Sequence, residues 1–305
     1  MMRFKKTWII MVLIVLFLVT FTLAGCSRVN NNEQAPVRIG WTKDTENAIL
    51  GNMIAIMLDK KLGIPVKTVG DLGGTGIAHE AIISGELDIY PDYTGDALAN
   101  VLKMDPVSDP EEAFLACKEG YLEKFDITWL DPTPFNNTYA LAIKKEIADE
   151  LDILAISDLK DKAPEWLIGS SVEFSKRPLD GYQGLIKHYG FEFKENKPME
   201  TGLMYTAAYN GDVEVIVAFA TDARIGKFNL KVLDDDKQFF PCYNAAPTVR
   251  NEILERYPQI EDLLNEIFSN LDTETMISLN GEVDIDLKDP AKVAEGYLKK
   301  KGYID

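Results

Sequence analysis

Tyr90, Pro91, Tyr93 and Gly95 stand close together in DIYPDYTGDALAN, residues 88–100. Leu87, Ile89 and Tyr90 alternate as in a short strand, and the proline and glycine then end it at a turn. A strand that ends in exposed rings is often the rim of a ligand site, whereas one tyrosine alone in such a place more commonly caps a local core. Covalent chemistry has little to work with. The chain has two histidines, His79 and His188, and three cysteines, Cys26, Cys117 and Cys242. It contains no CxxC, HExxH, GxSxG or phosphate-binding loop pattern, so no zinc site, hydrolase nucleophile or cofactor is expected. These residue types suit binding rather than turnover.

Other polar and aromatic residues have plain structural readings when taken singly. Arg177 in FSKRPLDG reads as a surface ion-pair residue, although its planar fork suits a ligand carboxylate better than a lysine would. Thr221 and Asp222, before ARI, read as helix caps. His79 falls inside a helix and His188 on a helix surface. Phe135, Phe239 and Phe240 read as core, and Tyr205 and Tyr209, at helical spacing, as one packed face. Cys117 and Cys242 lie 125 residues apart, which leaves a disulfide open.

The elements that position these residues follow from periodicity. VRIGW is a first strand. ENAILGNMIAIMLDKKLG is an amphipathic helix with Ile49, Met53, Ile56 and Met57 on one face and Gly63 at its end. PVKTVGDLG is a second strand, TGIAHEAIISGE a helix with Thr75 as N-cap, and LDIY a third strand. This β-α-β-α-β series predicts an α/β layer with a largely parallel sheet. A second series runs through NNTYALAI, WLIGSSVEF, DGYQGLIKHYG, METGLMYTAAYNGD, VEVIVAFATD and LKVLDDD. After FFPCYNAAP the chain reads as helical to its end, in helices that could belong to either lobe. Sites in such folds lie at the carboxyl ends of strands and between domains.

The ends and the charge bound the class. Arg3, Lys5 and Lys6 precede an uncharged apolar run from Trp8 to Gly25, which closes in LAGC. This is the form of a secretory signal over 1–25. The cysteine after small residues resembles a bacterial lipobox, with Cys26 as the lipidated first residue. A transmembrane anchor is the alternative reading of the same run. Residues 26–36 read as a lipidated tether of roughly 15–20 Å reach. The protein is then expected on the extracytoplasmic face of the cell membrane. The net charge is −17 over the chain, and losing the three basic leader residues takes it to −20. Nucleic acid is therefore not an expected partner.

Five stretches together resemble one family: DLGGTGIAHEAIISGELDIYPDYTGDAL, FNNTYALAI, EFSKRPLDGYQGLIKHYGF, GDVEVIVAFATDARI and DDDKQFFPCYNAAPTVR. They are similar to the substrate-binding proteins of osmoprotectant ABC importers, which capture glycine betaine, choline, carnitine and related quaternary amines. The likeness runs from Val37 to Ile304. It implies a type II periplasmic-binding-protein fold, two α/β lobes joined by two crossover strands and closing on a ligand in the cleft between them. Lobe 1 would be 37–136 with 242–305, and lobe 2 would be 137–241. The partners implied are permease subunits with a cytoplasmic ATPase, and the membrane through the lipid anchor.

The same resemblance implies the site. Tyr93, Tyr139, Phe219 and Tyr243 match the aromatic box around a trimethylammonium head; the third is usually tyrosine, so Phe219 is a departure. Asn137 matches a residue whose oxygen touches the head, and Arg177 one that holds a ligand carboxylate. Relatives often begin GSKxFxEQ; here the stretch is GWTKDTENA, with Lys43 offset by one place from that lysine. Asp96 stands in YTGD where many relatives have YTGT. It would attract a cation or accept from choline's hydroxyl, and would disfavour a carboxylate. Arg177 points to betaine or carnitine and Asp96 to choline. Two other classes compete: a binder of another solute such as an amino acid, which would need an Asp/Arg clamp in place of the box, and an enzyme acting on a small amine, for which no nucleophile–base pair is visible.

Overall fold

The computed structural model describes residues 35–105 and 107–305. The leader 1–25, Cys26 and the tether up to residue 34 lie outside the described residues.

The chain enters as β1 (Val37–Thr42), α1 (Thr45–Leu62), β2 (Val66–Leu72), α2 (Thr75–Ile83) and β3 (Ile89–Tyr93). Gly63 ends α1 with φ 64°, donating its N–H to the Asp59 and Leu58 carbonyls. Thr75 is not the cap of α2. Gly74 holds that place at φ 144°, a backbone angle that disfavours threonine, and Thr75 is the first helical residue. A helical turn over Thr94–Asp96 runs into a π-helical turn, Ala97–Leu102. Next come α3 (Pro110–Phe125), capped by the Asp109 side chain, and β4 (Ile127–Trp129).

The chain then crosses to a second sheet. It forms β5 (Tyr139–Lys144), α4 (Lys145–Leu151), β6 (Leu167–Ser171), α5 (Val172–Lys176), α6 (Tyr182–Tyr189), β7 (Glu195–Met199), α7 (Thr201–Asn210), β8 (Val215–Phe219), α8 (Arg224–Lys227) and β9 (Leu230–Val232). It crosses back into β10 (Ala245–Arg250), α9 (Asn251–Arg256), α10 (Gln259–Phe268), α11 (Thr273–Asp284) and α12 (Pro290–Lys300).

The strand orders are β2-β1-β3-β10-β4 and β7-β6-β8-β5-β9. β10 runs antiparallel to β3 and β4, and β5 antiparallel to β8 and β9. The strands of the first β-α-β-α-β series are parallel as expected, but each sheet as a whole is mixed, because β5 and β10, the strands that follow the two crossings, run against their neighbours. β10 also replaces the helix expected after FFPCYNAAP. Proline is rare in an inner strand, which hides this one from sequence reading. Here Pro247 lies opposite Pro91, so the missing amide donors meet at one rung. Pro258 divides the long C-terminal helix into α9 and α10, since it has no N–H to give and clashes with the preceding turn.

The C-terminal helices pack on the first lobe: Leu264, Phe268 and Leu298 share a core with Ile49, Met53 and Met57 of α1. The other face of that sheet buries Tyr90, Tyr121 and Trp129. The second lobe packs Leu141, Ile168, Phe174 and Val215 on one face and Met204, Tyr205 and Ile216 on the other. Tyr209 departs from its expected place with Tyr205. It falls in the last turn of α7, remains 59 % exposed and has its ring against Phe228 at the edge of this cluster. Cys117 and Cys242 are buried free thiols, donating to the Thr94 and Ser108 carbonyls. The two crossing segments hold each other: Asn137 N–H donates to the Tyr243 carbonyl at 3.0 Å, and Tyr243 N–H to Asn136 Oδ1 at 2.8 Å.

Candidate functional site

A cavity of about 390 Å³ opens where the ends of β1, β3, β5 and β8 meet the crossing segments. Its aromatic walls come from strand register. Tyr139 begins β5 and Phe219 ends β8; they are paired residues, with ring centroids 5.1 Å apart. Tyr243, on the return crossing, meets Tyr139 edge-on at 5.5 Å. It reaches this place only because residue 95 is glycine. A Cβ there would lie 2.6 Å from the Tyr243 ring and 2.8 Å from the Cys242 carbonyl. Tyr93 ends β3, lines the cavity and packs against the cores of both lobes. Asn137 and Lys43 also line it, Lys43 as an exposed rim residue.

Arg177 is placed differently. It does not line the cavity and is 6 % exposed. Its guanidinium donates to Asp180, to Asp96 Oδ1 at 2.7 Å and to the Tyr243 hydroxyl at 2.7 Å. It also sits 5.8 and 5.7 Å from the Tyr139 and Tyr243 ring centroids. Burial pushes Asp180 up, but the Arg177 hydrogen bond and charge outweigh it and hold the carboxyl below its ordinary range. This arginine braces two cavity rings, and its charge is taken up by protein carboxylates. Asp96 lines the cavity while paired with Arg177 across the two lobes.

Sequence reasoning missed the residue at the centre. Glu46, in the first turn of α1, lines the cavity and is 4 % exposed. The next residue, Asn47, fixes the start of the helix by accepting from Thr42 N–H and donating to the Pro91 carbonyl, both at 2.8 Å. Glu46 Oε1 accepts from the Tyr93 hydroxyl and from Asn137 Nδ2, each at 2.8 Å. Oε2 accepts from Thr221 Oγ1 at 2.6 Å and Asn280 Nδ2 at 2.9 Å. Burial raises this carboxyl above its usual range, against the four hydrogen bonds that lower it. Thr221 therefore serves the site rather than capping α8; Asp222 accepts from Arg224 N–H at the start of that helix. Glu46 occupies the glutamate place in the GSKxFxEQ comparison, which was a usable signal. Asn280 and Thr221 join it only through tertiary folding.

The charge of the cavity is one-sided. Among the described residues, seven carboxylates line it (Asp44, Glu46, Asp96, Glu173, Glu200, Asp222 and Asp284) against two cations, Lys43 and Arg224. Arg224 is bound to Asp222 at 2.5 Å and Asp284 at 3.3 Å. Such walls attract a cation and repel an anion.

Residues 35–300 match the family model described as the substrate binding domain of ABC-type glycine betaine transport systems. The carnitine transport binding protein of Listeria monocytogenes is 34% identical over 304 residues, 99% of each chain. The glycine-betaine-binding protein of Pseudomonas aeruginosa is 39% identical over 280 residues, 88% of this chain and 89% of its own. A crystal structure described as a glycine betaine/carnitine/choline ABC transporter aligns with TM-score 0.78 at 36% identity, covering 88% of this chain and 100% of that one.

Proposed function

This chain belongs to the family of substrate-binding domains of ABC-type glycine betaine transport systems, a family of type II periplasmic-binding-protein fold that binds and does not catalyse, and we propose that its own preferred ligand is a quaternary ammonium cation of the choline type. The reading rests on one observation: aromatic walls stand among seven lining carboxylates, and the nearby arginines already have anionic partners. A quaternary ammonium has no N–H and loses its hydration cheaply against π-faces, each contributing roughly 0.5–2 kcal/mol. Tyr93, Tyr139, Phe219 and Tyr243 are the rings proposed to surround it. A betaine carboxylate in the same cavity would lie among like charges, with the rim residue Lys43 as its available partner.

A second reading, a zwitterion such as glycine betaine or carnitine, is favoured by the names of the relatives. An amino-acid ligand is less well served, because at Glu46 its ammonium would meet a carboxylate whose lone pairs are already taken by Tyr93, Asn137, Thr221 and Asn280. Calorimetric titration of residues 35–305 with choline, glycine betaine and carnitine in parallel separates the readings. Choline is expected to bind most tightly, and Phe219→Ala to weaken it by about 1–2 kcal/mol. Glycine betaine as the tightest ligand would overturn the preference for a net cation.

The ligand is proposed to pass to a membrane permease driven by a cytoplasmic ATPase. The lobes at 37–136 with 242–305 and at 137–241 would close around it. The LAGC stretch supports an extracytoplasmic protein lipidated at Cys26; Cys26→Ala should then release the protein or leave its leader uncut.

A further inference from the structure

Glu46 presents a puzzle of electrostatics. It is a buried carboxylate, and none of its four partners is a cation: they are Tyr93, Asn137, Thr221 and Asn280. A buried charge without a counter-charge is costly. Yet the surroundings are arranged for the ionised form. Each oxygen receives one hydroxyl and one amide, and amide N–H groups can only donate. The Oδ1 atoms of both Asn137 and Asn280 have no hydrogen-bond partner among the described residues, so both side chains are turned to serve the carboxylate at the expense of their own acceptors. A carboxylate has about four lone-pair sites, and here all are filled.

We infer that Glu46 is the specificity-determining counter-charge of the site, a carboxylate saturated by hydrogen-bond donors that attracts the ligand's cationic head while offering it no acceptor. A cation with N–H groups, such as a primary ammonium, would lose its water hydrogen bonds on entry and find none at Glu46, and the unpaired Oδ1 atoms of Asn137 and Asn280 are themselves buried. A quaternary ammonium has no such bonds to lose. The negative charge therefore acts on both, and the filled lone pairs discriminate between them. The aromatic rings alone would not supply this selection, since a π-face also accepts an ammonium.

The inference rests on the quaternary-ammonium reading, and the test separates the two. The probes are choline, its neutral alcohol analogue in which carbon replaces nitrogen, and ethanolamine. Affinities are measured by calorimetry and by ligand-observed NMR competition. In the wild type, choline should bind about tenfold or more tightly than the neutral analogue, as expected for a desolvated cation beside an anion. Glu46→Gln should bring that ratio toward one while changing the affinity of the neutral analogue little; a purely structural role would lower both together. Whichever Glu46 oxygen becomes the amide nitrogen, the hydroxyl on that side, Tyr93 or Thr221, can turn to accept from it. Thr221→Val frees one lone pair of Glu46 and should narrow the gap between choline and ethanolamine, which decides the matter if Glu46→Gln does not fold. Ratios unchanged in the folded variants would overturn the inference while leaving the quaternary pocket intact; a wild type that binds choline no better than its neutral analogue would overturn the inference and the preference for a cation together. Absence of binding by any quaternary ammonium would overturn both.

Discussion

Asp92 precedes Tyr93 in β3 and is 1 % exposed. It accepts hydrogen bonds from the Tyr90 and Tyr121 hydroxyls and from Tyr93 N–H. Burial, with the charge of Asp96, pushes its carboxyl from 3.8 up to about 7 in spite of those bonds. The folded state therefore binds this proton more tightly than the unfolded chain does. The resulting stabilisation is complete below 3.8 and is lost as pH rises to about 7. Asp92→Asn keeps an oxygen for Tyr93 N–H and removes the charge. It should raise the melting temperature at about pH 8, by up to a few kcal/mol of stability, and leave it nearly unchanged near pH 4. An equal shift at both pH values would mean that ionisation of Asp92 is not the cause. At this scale the sequence was informative about aromatic residues and poor about polar ones. Tyr93, Tyr139, Phe219 and Tyr243 could be named through motif likeness. Arg177 was visible, but its commitment to Asp96 and Asp180 was not, because two of those three residues meet only after the lobes form.

Between strand and crossing, the turn after β3 carries the site. Thr94 N–H donates to the Asn244 carbonyl at 3.1 Å and its hydroxyl to the Cys242 carbonyl at 3.0 Å. Gly95 leaves room for Tyr243 against that turn. Gly95→Ala must push back a ring and a backbone carbonyl, and is expected to cost about 1–3 kcal/mol. It should lower the melting temperature and, by moving one aromatic wall, weaken choline as well. A variant with unchanged melting and binding would show that Tyr243 can shift without consequence. The alternating strands and long helices of the first half were legible because each follows a local period. β7 in ENKPM has a proline and little apolar pattern, and β10 has a proline in an inner strand. Their strand state is imposed by neighbours, and no local signal announces it.

At the scale of the molecule, two sheets joined by two crossing segments also meet through side chains over the cleft. Glu46 bonds Thr221, Asp96 pairs with Arg177, and Arg224 reaches Asp284. Contacts of this kind form only when the lobes are together, so they add to the closed population that holds ligand. Asp96→Asn removes the charged member from lobe 1 and should weaken choline by about tenfold, and glycine betaine by less, because a carboxylate tail is no longer repelled. Equal loss for both ligands would assign Asp96 to closure alone. The central claim is that this cavity takes a cation whose nitrogen bears no hydrogen. The direct measurement is the affinity of the wild-type domain for choline and for its analogues with one, two and three methyl groups removed from nitrogen, all of them cations at neutral pH. The account predicts a stepwise fall in affinity as each N–H replaces a methyl, with ethanolamine weakest. A flat series, or one that rises toward ethanolamine, would contradict it.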